Sequence, residues 1–66
     1  MRLLIADVRN KQGVSLRWLE IRTGISRSKI SRWEKGKSDP KMGELEKIAK
    51  ALHVKMAELY EEDEDE

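Results

Sequence analysis

Apolar residues recur at helical spacing along this chain, and nowhere do they alternate with polar residues for long enough to predict a strand. The stretch 42–52 shows the pattern most clearly, because its apolar residues stand at positions i, i+3, i+4 and i+7: Leu45, Ile48, Ala49 and Leu52. Residues at these spacings share one face of a helix. The pattern therefore predicts an amphipathic helix that packs this face against a core.

Shorter stripes, together with residues that start and stop helices, predict further helices at 2–12, 16–22, 26–35 and 55–60. Ser15 and Ser26 precede two of them, and serine is a good N-cap because its hydroxyl accepts a hydrogen bond from a backbone N–H of the first turn. Gly13 and Gly36 are expected to end helices, since glycine tolerates the left-handed conformation found there. We therefore expect an all-α fold, a compact domain of five short helices over residues 1–60.

The helix at 26–35 has an unusual division of side chains. Ile30 and Trp33 are three residues apart and share the inward face. The outward faces carry cations and hydroxyls without a carboxylate: Arg27, Ser28, Lys29, Ser31, Arg32 and Lys35. Such a surface suits DNA, because Arg donates two hydrogen bonds to guanine and Ser donates or accepts. The alternative is an ordinary solvated basic helix face.

The connection between the helices at 16–22 and 26–35 is a short turn containing Thr23 and Gly24, after which Ile25 is expected to enter the core. Two helices separated by three or four residues, with a glycine in the turn, make a helix-turn-helix arrangement. In that arrangement the second helix lies in the DNA major groove.

Composition narrows the classes of protein. The chain has 66 residues and no cysteine, so we expect one small domain without disulfides or a cysteine-based zinc site, which fits a reducing cytoplasm. No apolar run is long enough to cross a membrane. The lone His53 has no companion ligands, so no metal or cofactor is expected. A single histidine and no convergent acid–base group also argue against an enzyme.

The net charge of +1 hides a division along the chain. Residues 61–66 are all acidic, so the first 60 residues keep all 14 basic residues but only seven of the 13 acidic ones. The basic part favours a polyanionic partner. The acidic part has nothing apolar to bury and is predicted to be a disordered tail. It could solubilise the chain, compete with nucleic acid for the basic surface, or bind a protein partner.

The sequence resembles the lambda repressor/Cro-type helix-turn-helix family, also called XRE-like. The resemblance extends over about residues 3–60 and depends on an ordered set of residues at matching spacing: Val8-Arg9, Gly13-Val14-Ser15, Leu19, Thr23-Gly24-Ile25-Ser26, Ile30 to Gly36, Pro40, and Leu45 to Tyr60. It implies a five-helix domain that binds double-stranded DNA, usually as a homodimer on a palindromic or repeated operator.

The resemblance also implies roles for individual residues. Those at positions where family members touch base edges are Arg27, Ser28 and Arg32, with Ser31 as a further candidate. Those at positions near phosphates are Ser15, Arg17, Lys29, Lys35 and Lys37. Arg9 and Glu34 match a buried or half-buried ion pair that links the first helix to the end of the recognition helix.

The chain departs from the family pattern at residues next to these sites. Leu16 replaces a frequent Gln and cannot make that residue's polar contacts. Glu20 replaces a small Ala, so its carboxylate must turn outward or find an arginine such as Arg22 or Arg17. His53 replaces a frequent Gly after the fourth helix, so we expect a slightly different turn.

The leading hypothesis is a sequence-specific double-stranded DNA-binding transcriptional regulator, most simply a repressor. The alternative is a protein-interaction module, such as an antirepressor or adaptor, on the same scaffold. Trp33 could stack on a base, although its spacing from Ile30 favours the core. Trp18 is expected to be partly buried or to contribute to a dimer surface.

Overall fold

A computed structural model describes residues 2–62 of the protein. The order of elements is β1 (Arg2–Leu3), α1 (Ile5–Gln12), α2 (Leu16–Thr23), α3 (Arg27–Glu34), α4 (Met42–Leu52), a 3-10 helix (Met56–Leu59) and β2 (Tyr60–Glu61). The mainly helical fold expected from the sequence is confirmed. The count of five helices is wrong, because the described chain has four α-helices and a single 3-10 turn in place of the fifth.

The two short strands were not expected. β1 and β2 pair antiparallel, with Arg2 opposite Glu61 and Leu3 opposite Tyr60. The pairing continues into the next residue, where the Leu4 N–H donates to the Leu59 carbonyl at 2.7 Å. The first helix consequently begins at Ile5 rather than at residue 2. Strands of two residues are too short to show period-two alternation, so no sequence pattern predicts them.

The beginning of the predicted tail belongs to this strand pair. Glu61 lies in β2, and its carboxylate contacts the Arg2 guanidinium at 3.1 Å. Glu62 follows β2, and the remaining residues of the predicted tail, 63–66, lie outside the described residues.

The core contains the stripe of α4 and one or two apolar residues from each of the other helices. Its buried members are Ile5, Leu19, Ile25, Ile30, Trp33, Leu45, Ile48, Ala49, Leu52 and Leu59. The predicted inward faces of 42–52 and 26–35 are confirmed, since Ile48 and Ile30 are fully buried. Among residues 2–62, no helix is long and apolar enough to cross a membrane.

Helix ends follow the predicted capping residues. Ser15 and Ser26 have extended backbones, and their hydroxyl oxygens accept from the N–H groups of Trp18 and Lys29. His53 follows α4 with φ 57°, the left-handed conformation that glycine adopts at the same kind of helix end. His53 therefore adopts a conformation usual for glycine, and the slightly different turn expected there stays a prediction.

Candidate nucleic-acid interface

The turn between α2 and α3 is held by hydrogen bonds from one side chain. The Thr23 hydroxyl donates to the Leu19 carbonyl at 2.7 Å and accepts from the Ile25 N–H at 3.1 Å. Gly24 has φ 75°, which lets the chain reverse. Ile25 is buried, so the turn is also attached to the core. These contacts determine where Ser26 and α3 begin.

α3 presents one apolar and one polar face. Ile30 and Trp33 point into the core, with Trp33 only 2% exposed, which excludes base stacking by this indole. The side chains on the outward faces are exposed at Arg27, Ser28, Lys29, Arg32 and Lys35, and half-buried at Ser31. The structure thus brings the predicted base-contacting residues onto one accessible surface.

The C-terminal end of α3 is attached to α1 by an ion pair. Arg9 Nε donates to Glu34 Oε2 at 2.9 Å, and Arg9 Nη2 donates to Glu34 Oε1 at 3.1 Å. A third bond runs from Arg9 Nη1 to the Val14 carbonyl at 3.1 Å. The two side chains are only 15% and 10% exposed. The hydrogen bond to Glu34 is the largest cause of a raised Arg9 pKa, so this guanidinium stays charged.

Of the predicted phosphate-contacting residues, Lys29 lies on α3 and the others lie at two other places on the fold. Ser15 and Arg17 are exposed at the first turn of α2, where a helix N-terminus favours an anion. Lys35 and Lys37 are exposed just after α3. The loop there closes back on the helix, because the Lys37 N–H donates to the Arg32 carbonyl at 2.9 Å.

The outward faces of α3 carry no carboxylate of their own, but carboxylates of neighbouring helices reach them. Glu20 of α2 reaches the first residue of α3, where its Oε1 lies 3.0 Å from Arg27 Nε and its Oε2 accepts from the Arg27 backbone N–H at 3.2 Å. The sequence had suggested Arg22 or Arg17 as its partner. Arg22 instead stacks over the Trp18 ring, 5.0 Å from the ring centroid, and Trp18 is half-buried as expected.

A second carboxylate comes from α4. Glu44 Oε2 accepts from Lys29 Nζ at 2.9 Å, and Glu44 Oε1 accepts from the Lys41 N–H at 2.8 Å. The backbone bond from Lys41 is the first cause of a lowered Glu44 pKa, and the bond from Lys29 is the second. Lys29 and Glu44 are 15 positions apart on separate helices. No local sequence pattern connects such residues, whereas the replacement of a small residue at position 20 did signal that Glu20 needs a partner.

Within residues 2–62, no group of three or more His, Asp or Glu side chains is arranged to hold a metal ion. The helices α2 and α3 are both capped, and hydrogen bonds fix the turn between them. The cations and hydroxyls of α3 are exposed. This arrangement defines a DNA-binding helix-turn-helix domain.

Comparison with known proteins gives the family. A family model described as helix-turn-helix matches residues 5–59, so the chain belongs to the helix-turn-helix family, of the lambda repressor/Cro (XRE) type expected from its sequence. The crystal structure of the restriction-modification controller protein C.AhdI from Aeromonas hydrophila is similar to it, with a TM-score of 0.80 and 27% identity over 85% of each chain. No curated protein compared with the chain matches it significantly. The protein is a DNA-binding transcriptional regulator.

Proposed function

We propose that this regulator is a sequence-specific repressor that binds a palindromic or repeated operator as a homodimer, with α3 in the major groove. The observation that carries the proposal is the face of α3, where Arg27, Ser28 and Arg32 are exposed while Ile30 and Trp33 hold the helix to the core. Arginine and serine are side chains that discriminate base edges in the major groove.

Affinity and discrimination come from different residues in this proposal. Lys35, Lys37, Arg17 and Ser15 contact phosphates and contribute binding that does not depend on sequence, with a steep dependence on salt. Arg27, Ser28 and Arg32 contact base edges, with Ser31 beside them, and each good base contact contributes about 1–3 kcal/mol of discrimination. Lys29 contributes to phosphate binding only when it leaves Glu44, with which it is paired in the free protein.

The proposed homodimer matches the proposed symmetry of the operator. One copy of α3 spans only part of a major-groove turn, so a second copy about 10 base pairs away doubles the contacts and makes the half-sites palindromic. The similarity to C.AhdI, a restriction-modification controller protein, supports a regulatory role for this chain.

Selection of bound duplexes from a random DNA pool tests the proposal. The expected result is a two-fold symmetric consensus with guanines in each half-site, and a complex of two chains per duplex. The protein-interaction alternative predicts no enrichment and no gel shift with random duplex even at low salt.

A further inference from the structure

Glu20 makes contacts at the start of α3 that resemble those of a bound anion. One carboxylate oxygen lies 3.0 Å from Arg27 Nε, and the other accepts from the Arg27 backbone N–H at 3.2 Å. A helix N-terminus next to an arginine is where a DNA phosphate would bind, because both present N–H donors and positive charge. Glu20 therefore occupies an anion position within the protein itself.

This contact leaves part of the Arg27 guanidinium available. The ion pair with Glu20 is made through Nε, which leaves Nη1 and Nη2 for other acceptors, and the Arg27 side chain is 59% exposed. A pair of parallel N–H donors matches the O6 and N7 acceptors of guanine. Held beside Glu20 by this ion pair, Arg27 keeps the donors needed for a base.

We propose that Glu20 determines specificity: it excludes phosphate from the start of α3 and directs Arg27 towards a guanine. The inference rests on the proposed function of α3, and adds that sequence-independent binding is suppressed at this end of the helix. Glu20 acts through Arg27 and through repulsion of phosphate, so it is a positioning residue and makes no base contact of its own.

An effect on discrimination is expected here rather than an effect on stability. The Glu20 side chain is 35% exposed, and exposed ion pairs contribute little to folding. The negative charge nevertheless lies beside the groove-facing surface, where a phosphate oxygen would meet it at short range. Its removal should therefore change DNA binding in a protein that folds as before.

The test compares Glu20→Gln with Glu46→Gln. Both remove one negative charge, but Glu46 is exposed on α4 and has no ion pair among those of the described chain. For the wild-type chain and both variants, random-pool selection gives the preferred duplex. Affinity is then measured at several salt concentrations for that duplex, for its single-base variants, and for an unrelated duplex of equal length.

For Glu20→Gln we expect about threefold to tenfold tighter binding to the unrelated duplex, and a salt slope steeper by about one unit as a phosphate replaces the carboxylate. Discrimination should fall about tenfold at the base contacted by Arg27 and stay unchanged at the others. Glu46→Gln should reproduce only a small, uniform increase in affinity.

The outcomes separate the two proposals. If the wild-type chain selects a sequence and Glu20→Gln behaves like Glu46→Gln, the Glu20 proposal is overturned and the proposed function stands. Uniform loss of discrimination at every base also overturns it, because that result indicates loosened packing. If the wild-type chain selects no sequence, the proposed function fails and the Glu20 proposal fails with it.

A double-mutant cycle tests separately whether Glu20 affects base discrimination through Arg27. In a chain that already carries Arg27→Gln, adding Glu20→Gln should change discrimination at no base, while it should still strengthen binding to the unrelated duplex. A further loss of discrimination in the double variant would contradict the idea that Glu20 acts through Arg27.

Discussion

Each end of α3 has an arginine–glutamate ion pair, and the two pairs differ in their exposure to solvent. At the C-terminal end, Arg9 and Glu34 are nearly buried and share two hydrogen bonds. At the N-terminal end, the side chains of Arg27 and Glu20 are more accessible, 59% and 35% exposed. A buried pair orients a helix, because either partner left alone is costly, whereas an exposed pair exchanges easily with water or DNA. The side chains at the C-terminal end of α3 are thus held firmly against α1, whereas the Arg27 side chain at its N-terminal end remains adjustable.

The largest effect is expected from breaking the Arg9–Glu34 ion pair at the C-terminal end of α3, and it concerns the stability of the fold. Glu34→Ala leaves the Arg9 guanidinium without its carboxylate, so we expect a loss of about 2–3 kcal/mol in the free energy of unfolding. That loss is a large fraction of the stability of so small a domain. Thermal or urea unfolding followed by circular dichroism measures it. A change no larger than that of Glu20→Ala would contradict the contrast between the two ends.

The next effect concerns base recognition from the middle of α3. Arg32→Ala should weaken binding to the selected operator by about tenfold to a hundredfold, the equivalent of one good base contact. Binding to random duplex should fall much less. Titrations of both duplexes at one salt concentration measure the two losses, and equal losses would remove Arg32 from the base-contacting residues.

A smaller and more uniform effect is expected just past the firm end. Lys35→Ala should weaken binding to all sequences alike and reduce the salt slope by about one unit, because one phosphate contact is lost. Titrations over a range of salt concentrations measure this slope. An unchanged slope would mean that Lys35 contacts no phosphate.

The smallest effect on stability is expected at the adjustable end. Glu20→Ala should change the free energy of unfolding by less than about 1 kcal/mol, since the pair is exposed and Ala is a good helix former. Unfolding in urea alongside Glu34→Ala measures the difference directly. A loss as large as that of Glu34→Ala would show that Glu20 is part of the structural framework of α3.

The sequence predicted the features that depend on neighbours along the chain. Ser26 caps α3 and Ile30 enters the core because capping and helical spacing are local properties. The β1–β2 pair was missed, since it joins residues 59 positions apart through strands of two residues each. The left-handed conformation of His53 was not predicted either, because side chains other than glycine rarely adopt it.

The sequence predicted which residues form the candidate site, but not which side chains they contact. The family resemblance assigned Arg27 to base edges from its position in the motif. Its pairing with Glu20 depends on how two helices meet across a turn and on the rotamers of two long side chains, which spacing does not determine. The same holds for Lys29 and Glu44, which meet because the fold brings the first turn of α3 close to the first turn of α4.

The most direct measurement of the central claim is random-pool selection carried out in parallel with the wild-type chain, Arg27→Ala and Arg32→Ala. If α3 is held at its C-terminal end and contacts bases with these guanidinium groups, each variant should lose preference at its own base pairs and keep the rest of the consensus. A consensus that is unchanged in both variants would contradict the account.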